Sequence, residues 1–237
     1  MRRRGMREGG IASYQRAVWT WLRWLHRNRY VEVDFSTVVP RVKPKDADVR
    51  RPTATAEDIA NMMKVASYER EHGKRNRAIV AVFADTGIRR AELAMVDFED
   101  VDMQAGTIYV RHGKGGKQRL IGLGAEARLA LWQYFTDARG TKPGPLFLAR
   151  GKKRMTAGAM ADMLEDLRRL SNTDITSHQF RRYTAARLLR QGAHIDTVMG
   201  QLGHEGAQMT LVYGKEGRDE RNLREFHALD QGLRRAR

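Results

Sequence analysis

One seven-residue run constrains the fold more than any other stretch. Ala78-Ile79-Val80-Ala81-Val82-Phe83-Ala84 has no polar face. A helix that is apolar all round must be enclosed by neighbouring elements, so the chain has to build a core around it. Its 237 residues are enough for one large or two small domains. Gly87 stands where such a helix is expected to end, because glycine takes up the left-handed conformation that closes a helix C-terminus. Arg89-Arg90-Ala91-Glu92-Leu93 then opens another short helix.

The elements on either side are mostly helical. Thr55, followed by Glu57 and Asp58, marks a helix start, with the hydroxyl as N-cap and the acids against the positive end of the dipole. Further helices are expected at about 125–138 and 156–170, the second opened by Thr156. Thr107 to Val110 and Gln118 to Ile121 are strand-like, and Gly113-Lys114-Gly115-Gly116-Lys117 between them is a glycine-rich turn, so the two form a hairpin. Pro143 to Leu148 reads as a connector with a short extended piece, and the last 60 residues as three or four short helices with a basic tail. The expected class is mainly α with a small antiparallel sheet (α+β).

At the front, residues 1–10 read as a flexible basic arm. A helix is expected from Ser13 to Tyr30, with Tyr14, Ala17, Val18, Trp21, Leu22 and Leu25 forming one apolar stripe. Arg16, Arg23 and Arg27 fall on another face, where they could meet a DNA backbone or simply face solvent. Residues 31–51 read as strand-like or extended and, with Pro40, Pro44 and Pro52, as a linker. The expected division is therefore residues 1–51 and 52–237.

Charge narrows the partner. The formal net charge is +16, and residues 1–51 hold 13 Lys/Arg against 5 Asp/Glu, which is half the excess. A surplus of this size favours a polyanion, and nucleic acid leads because neutralising phosphates releases counterions. With no cysteine there are no disulfide staples, and the seven histidines show no metal-ligand spacing. No apolar run reaches membrane-spanning length and no secretory leader is expected, so membrane partners are set aside.

The chemistry-bearing residues cluster late. His178-Gln-Phe-Arg181 is followed by Leu202-Gly203-His204 and then, nine residues on from that histidine, by Tyr213. Upstream stand Asp85-Thr86-Gly87-Ile88-Arg89-Arg90-Ala91-Glu92-Leu93 and the Gly-Lys114-Gly-Gly-Lys turn. In this order and at these intervals the boxes resemble those of the tyrosine recombinases (phage integrase and Xer type), over essentially residues 52–225. That resemblance implies the family's catalytic-domain fold, preceded here by a short helical remnant of its core-binding domain. It implies a catalytic set of Arg89, Lys114, His178, Arg181, His204 and Tyr213, with Lys117 the competing lysine in the same loop and a DNA contact. Glu92 fits the family box, but a capping or ion-pair role suits it better than catalysis.

Attack on a phosphodiester builds charge on the non-bridging oxygens, which fixed guanidinium groups can stabilise. Arg89 and Arg181 would supply that clamp and His204 a further hydrogen bond. Tyr213 would be the nucleophile, with His178 as its base and Lys114 as the acid for the 5′-oxygen. No cofactor is implied, because the phosphotyrosine conserves the bond. The resemblance further implies double-stranded DNA with attachment-type sites, a homotetramer on DNA, accessory bending or directionality proteins, and a cytoplasmic, nucleoid-associated enzyme of a bacterial host cell. Arg182 and Glu205 depart from the family's usual His and Ser. Two other classes compete: a type IB topoisomerase-like enzyme that relaxes DNA without site choice, and a truncated, non-catalytic DNA-binding regulator.

Overall fold

A computed structural model of the chain describes residues 8–39, 53–68, 72–113 and 116–203. The chain divides into two compact units, Met1–Pro52 and Thr53–Arg237. In the first, helix α1 runs Glu8–Arg27 and a 3-10 turn follows at Phe35–Thr37. The helix thus takes in residues 8–10 of the expected arm and stops short of Tyr30. The described part of 31–51 contains no strand. Asp34 instead accepts the Ser36 N–H at 2.9 Å and starts the 3-10 turn. The covered face of α1 also differs from expectation. Ile11, Gln15, Trp19, Leu22 and His26 are buried or half-buried, whereas Tyr14, Val18 and Trp21 are 56%, 44% and 58% exposed. Both faces carry large apolar residues, so periodicity alone does not tell which one is covered.

In the second unit α2 (Ala56–Tyr68), α3 (Gly73–Thr86) and the short α4 (Arg90–Met95) precede a three-stranded antiparallel sheet in the order β1 (Val101–Asp102), β2 (Thr107–Val110), β3 (Arg119–Gly122). Then come α5 (Ala125–Tyr134), which continues as a π turn through Arg139, α6 (Ala157–Leu170), α7 (Ser177–Arg190) and α8 (Ile195–Leu202). The all-apolar run lies in α3, which packs against α2, α5 and α7. Ile79, Val80, Val82 and Phe83 are fully buried, and Phe83 stacks on Phe180 of α7 at 5.8 Å. Deleting such an aromatic from a core costs about 3–5 kcal/mol.

Local signals set the element ends. The Thr55 hydroxyl accepts the Asp58 N–H at 3.0 Å, and the Asp58 carboxylate accepts the Thr55 N–H at 2.9 Å, a reciprocal cap on α2. Thr156 caps α6 by accepting the Ala159 N–H at 3.1 Å. Gly87 closes α3 at φ 60°, its N–H on the Phe83 carbonyl at 2.9 Å. In the hairpin Ile108 faces Ile121 and Tyr109 faces Leu120. The isoleucine pair is buried and the other pair exposed, which is the alternation a one-sided sheet requires. The third strand, β1, goes beyond the expected hairpin: two residues are too few for a periodicity signal. No described helix is long and apolar enough to cross a membrane.

Candidate active site

The site forms where the ends of α3 and α8 meet α4, α7 and β3. Arg181, the fifth residue of α7, is 4% exposed. It donates to the Gly87 carbonyl at 2.6 Å and to the Leu202 carbonyl at 2.8 Å. Arg89, the residue just before α4, donates to the next carbonyl along, Gly203, at 2.9 Å. Three boxes distant in sequence, 85–93, 178–181 and 202–203, are thereby tied to one point. Leu202 reaches that point through a small apolar cluster with Ala185, Leu189 and Val198. Gln201 adds a two-bond lock: its amide oxygen accepts the Gly122 N–H at 2.9 Å and its amide nitrogen donates to the Gly122 carbonyl at 2.8 Å.

Glu92 organises the arginines. It is 3% exposed and accepts the Arg89 backbone N–H at 3.1 Å, which starts α4, and the Arg89 guanidinium at 2.8 Å. Arg119 of β3 forks onto the same carboxylate at 3.1 and 2.8 Å. Burial pushes the Glu92 carboxyl up, but the hydrogen bonds from Arg119 and Arg89 outweigh it and hold it below the usual carboxylate range. Glu92 is therefore an ion-pair and capping residue. A second pair braces the rear: Arg187 of α7 donates to the Asp85 carboxylate at 2.9 Å, and Asp85 also accepts the Gly124 N–H at the start of α5.

His178 lies exposed in the first turn of α7, three residues before Arg181. That turn is set by Gln179, whose side chain accepts the Thr176 N–H at 2.6 Å. Lys117 is exposed on the hairpin, where its carbonyl accepts the Gly113 N–H at 3.1 Å. Lys114, His204 and Tyr213 lie outside the described residues. Arg16, Arg23 and Arg27 are exposed on α1 of the first unit, Arg16 donating to Ser13 at 3.2 Å and Arg23 to Ser36 at 3.4 Å. Among the described residues no group of His, Cys, Asp and Glu could hold a metal ion. Arg119 is the residue that sequence reasoning passes over. Its strand position gives no signal, because its partner stands 27 residues earlier in the chain.

Two guanidinium groups backed by carbonyls and a buried carboxylate make a fixed cationic cradle, suited to a tetrahedral oxyanion such as a phosphate. The pattern of the phage integrase family matches residues 53–218 of the chain. Tyrosine recombinase XerC of Syntrophus aciditrophicus (strain SB) is 28% identical over 222 residues, covering 89% of this chain and 71% of the relative. Tyrosine recombinase XerD of Mycobacterium leprae (strain TN) is 32% identical over 234 residues, covering 89% and 73%. The TnP I resolvase of Bacillus thuringiensis is 29% identical over 167 residues, covering 68% of this chain and 57% of its own length. Among solved structures, the Tn1549 transposon integrase in complex with circular intermediate DNA superposes with a TM-score of 0.72 at 19% identity, covering 97% of this chain and 82% of that one. XerA recombinase superposes with a TM-score of 0.62 at 24% identity, covering 89% and 81%. A mainly helical unit with a small antiparallel sheet, the arginine-bearing boxes in register and a family match across most of the chain agree, and the chain belongs to the phage integrase family of tyrosine recombinases.

Proposed function

We propose that this protein is a site-specific DNA recombinase that cleaves and rejoins DNA through a 3′-phosphotyrosyl intermediate. The observation that carries the reading is the anchoring of Arg89 and Arg181 on the consecutive carbonyls of Gly203 and Leu202. This puts the paired guanidinium groups immediately before His204 in the chain. Arg89 donates to Glu92 and Gly203 and keeps donors beyond these, since a guanidinium carries five N–H groups. Those donors are the ones offered to the non-bridging oxygens of a scissile phosphate.

The reaction then follows from the residues. The Tyr213 hydroxyl loses its proton to His178 and attacks phosphorus, forming the tyrosyl–phosphorus bond as the bond to the 5′-oxygen breaks. Lys114 gives that oxygen its proton, and His204 hydrogen-bonds a non-bridging oxygen. Charge growing on those oxygens is met by Arg89 and Arg181, already fixed in place, so little reorganisation accompanies the step. A 5′-hydroxyl from a second duplex reverses the chemistry and exchanges the strands. The bond count is unchanged throughout, so the chemistry calls for no nucleotide cofactor. Double-stranded DNA with attachment-type sites is the partner. The relatives named resolvase and transposon integrase support the recombination chemistry, and a homotetramer on two duplexes, with accessory bending proteins, in the cytoplasm of a bacterial host completes the proposal.

The test is to trap covalent complexes on a library of nicked duplexes with randomised sequence, then sequence the DNA. Adducts concentrated on one motif support the recombinase. Adducts spread over all sequences, with relaxation of supercoiled plasmid, would point to a topoisomerase. Salt-sensitive binding without adducts would point to a binding regulator.

A further inference from the structure

We propose that Arg119 is a positioning residue for the arginine clamp: by gripping both oxygens of Glu92, it fixes how Arg89 meets the scissile phosphate and keeps the site cationic. The inference rests on the recombinase reading above. Arg119 opens β3, cross-strand from Val110. Its two terminal nitrogens reach Oε1 and Oε2 of Glu92 at 3.1 and 2.8 Å, and the same Oε1 takes Arg89 at 2.8 Å.

Charge makes this arrangement consequential. Arg89 and Glu92 alone form a neutral pair, and a buried carboxylate so close would cancel much of the pull of Arg89 on a phosphate. Arg119 returns one positive charge to the group. It also occupies the second carboxylate oxygen, so Glu92 cannot rotate to take both donors of Arg89.

Geometry closes the ring. The Arg119 guanidinium lies so near Gly203 that a Cβ there would come within 2.8 Å of its Cζ. The carbonyl of that glycine holds Arg89. Arg119, Glu92, Arg89 and Gly203 therefore fix one another in succession, and Arg119 is the member on the hairpin strand.

The experiment follows adduct formation by full-length wild type, Arg119→Gln and Arg119→Lys. The probe is a nicked duplex bearing the motif recovered from the wild-type library. Its scissile group is a phosphate, a methylphosphonate that lacks one negative charge, or a 5′-phosphorothiolate whose sulfur leaves without an acid. Arg119→Gln is expected to slow the phosphate reaction roughly a hundredfold, as a misplaced catalytic group does, with DNA binding little changed. On the methylphosphonate the loss shrinks to less than about tenfold, because less charge must be stabilised. Arg119→Lys restores the cation but not the fork, and regains about tenfold on the phosphate. Should Arg119→Gln unfold, the same contrast is read from Arg119→Lys, which is slowed about tenfold on the phosphate and not at all on the methylphosphonate. Equal losses on phosphate and methylphosphonate, no loss on the phosphate, or a loss cured by the sulfur leaving group would each overturn the proposal. Wild type giving no adduct on any duplex would sink the recombinase reading itself, and this inference with it.

Discussion

Arg181 on α7 donates to the carbonyl of Leu202, the last residue of α8, at 2.8 Å. With its second bond, to Gly87 at 2.6 Å, this residue joins the end of α3 to the end of α8 and doubles as a structural tie. Replacing it leaves two buried carbonyls without donors, a loss of about 1–3 kcal/mol. Arg181→Gln is therefore expected to lower the urea unfolding free energy by that amount. If Arg181 is the clamp donor proposed above, the change should also cost about a hundred- to a thousandfold in adduct formation. Wild-type stability in the variant would show that the carbonyl bonds contribute nothing.

The Glu92 pair makes stability depend on pH. Its carboxyl is held below the ordinary value of 4.5 in the folded protein, since the bonds from Arg119 and Arg89 outweigh burial. The pair's contribution is thus fully present above the unfolded value and is lost as pH falls through the lower, folded one. Urea midpoints measured from about pH 6 to 3 should fall less steeply for Glu92→Gln than for wild type over the acid end of that range. Glu99 and Glu165 are also held low, and they contribute equally to both proteins. Parallel curves would contradict the assignment.

Gly203 adopts φ 65°, and an added Cβ would meet Arg119 at 2.8 Å. Gly203→Ala should therefore cost about 1–2 kcal/mol from the left-handed backbone alone, and displace Arg119 besides. Adduct formation should drop with it, read by trapping at a temperature where the variant stays folded. An alanine variant as active as wild type would show that the ring tolerates movement.

Arg16, Arg23 and Arg27 are exposed along α1 and are proposed to meet DNA phosphates. Changing all three to Ala should flatten the plot of log K against log salt, by about 0.9 for each phosphate that is no longer neutralised. An unchanged slope would mean that they only solvate the helix.

Much of this architecture is legible from residues alone. The all-apolar run dictates a buried α3, Thr55 and Thr156 mark helix starts, and the glycine-rich turn marks the hairpin, because each signal is local. The covered face of α1 is not legible: Tyr14, Val18 and Trp21 compete with Ile11 and Trp19 on the neighbouring face, and packing outside the helix itself decides between them. Arg119 stays hidden for a similar reason. A strand arginine looks like any surface cation until the fold brings a buried Glu92 to it. The pairing of Arg89 with Arg181 can be read only as a resemblance, since backbone carbonyls that hold side chains leave no mark in sequence.

On the proposed reading, this cradle serves a tyrosine nucleophile at position 213. The most direct measurement is covalent trapping on the cleaved duplex with wild type and Tyr213→Phe, followed by peptide mapping of the adduct. The expected result is a wild-type complex that survives SDS and carries DNA on the Tyr213 peptide, with no adduct from the variant. An adduct that persists in Tyr213→Phe, or maps to another residue, would contradict it.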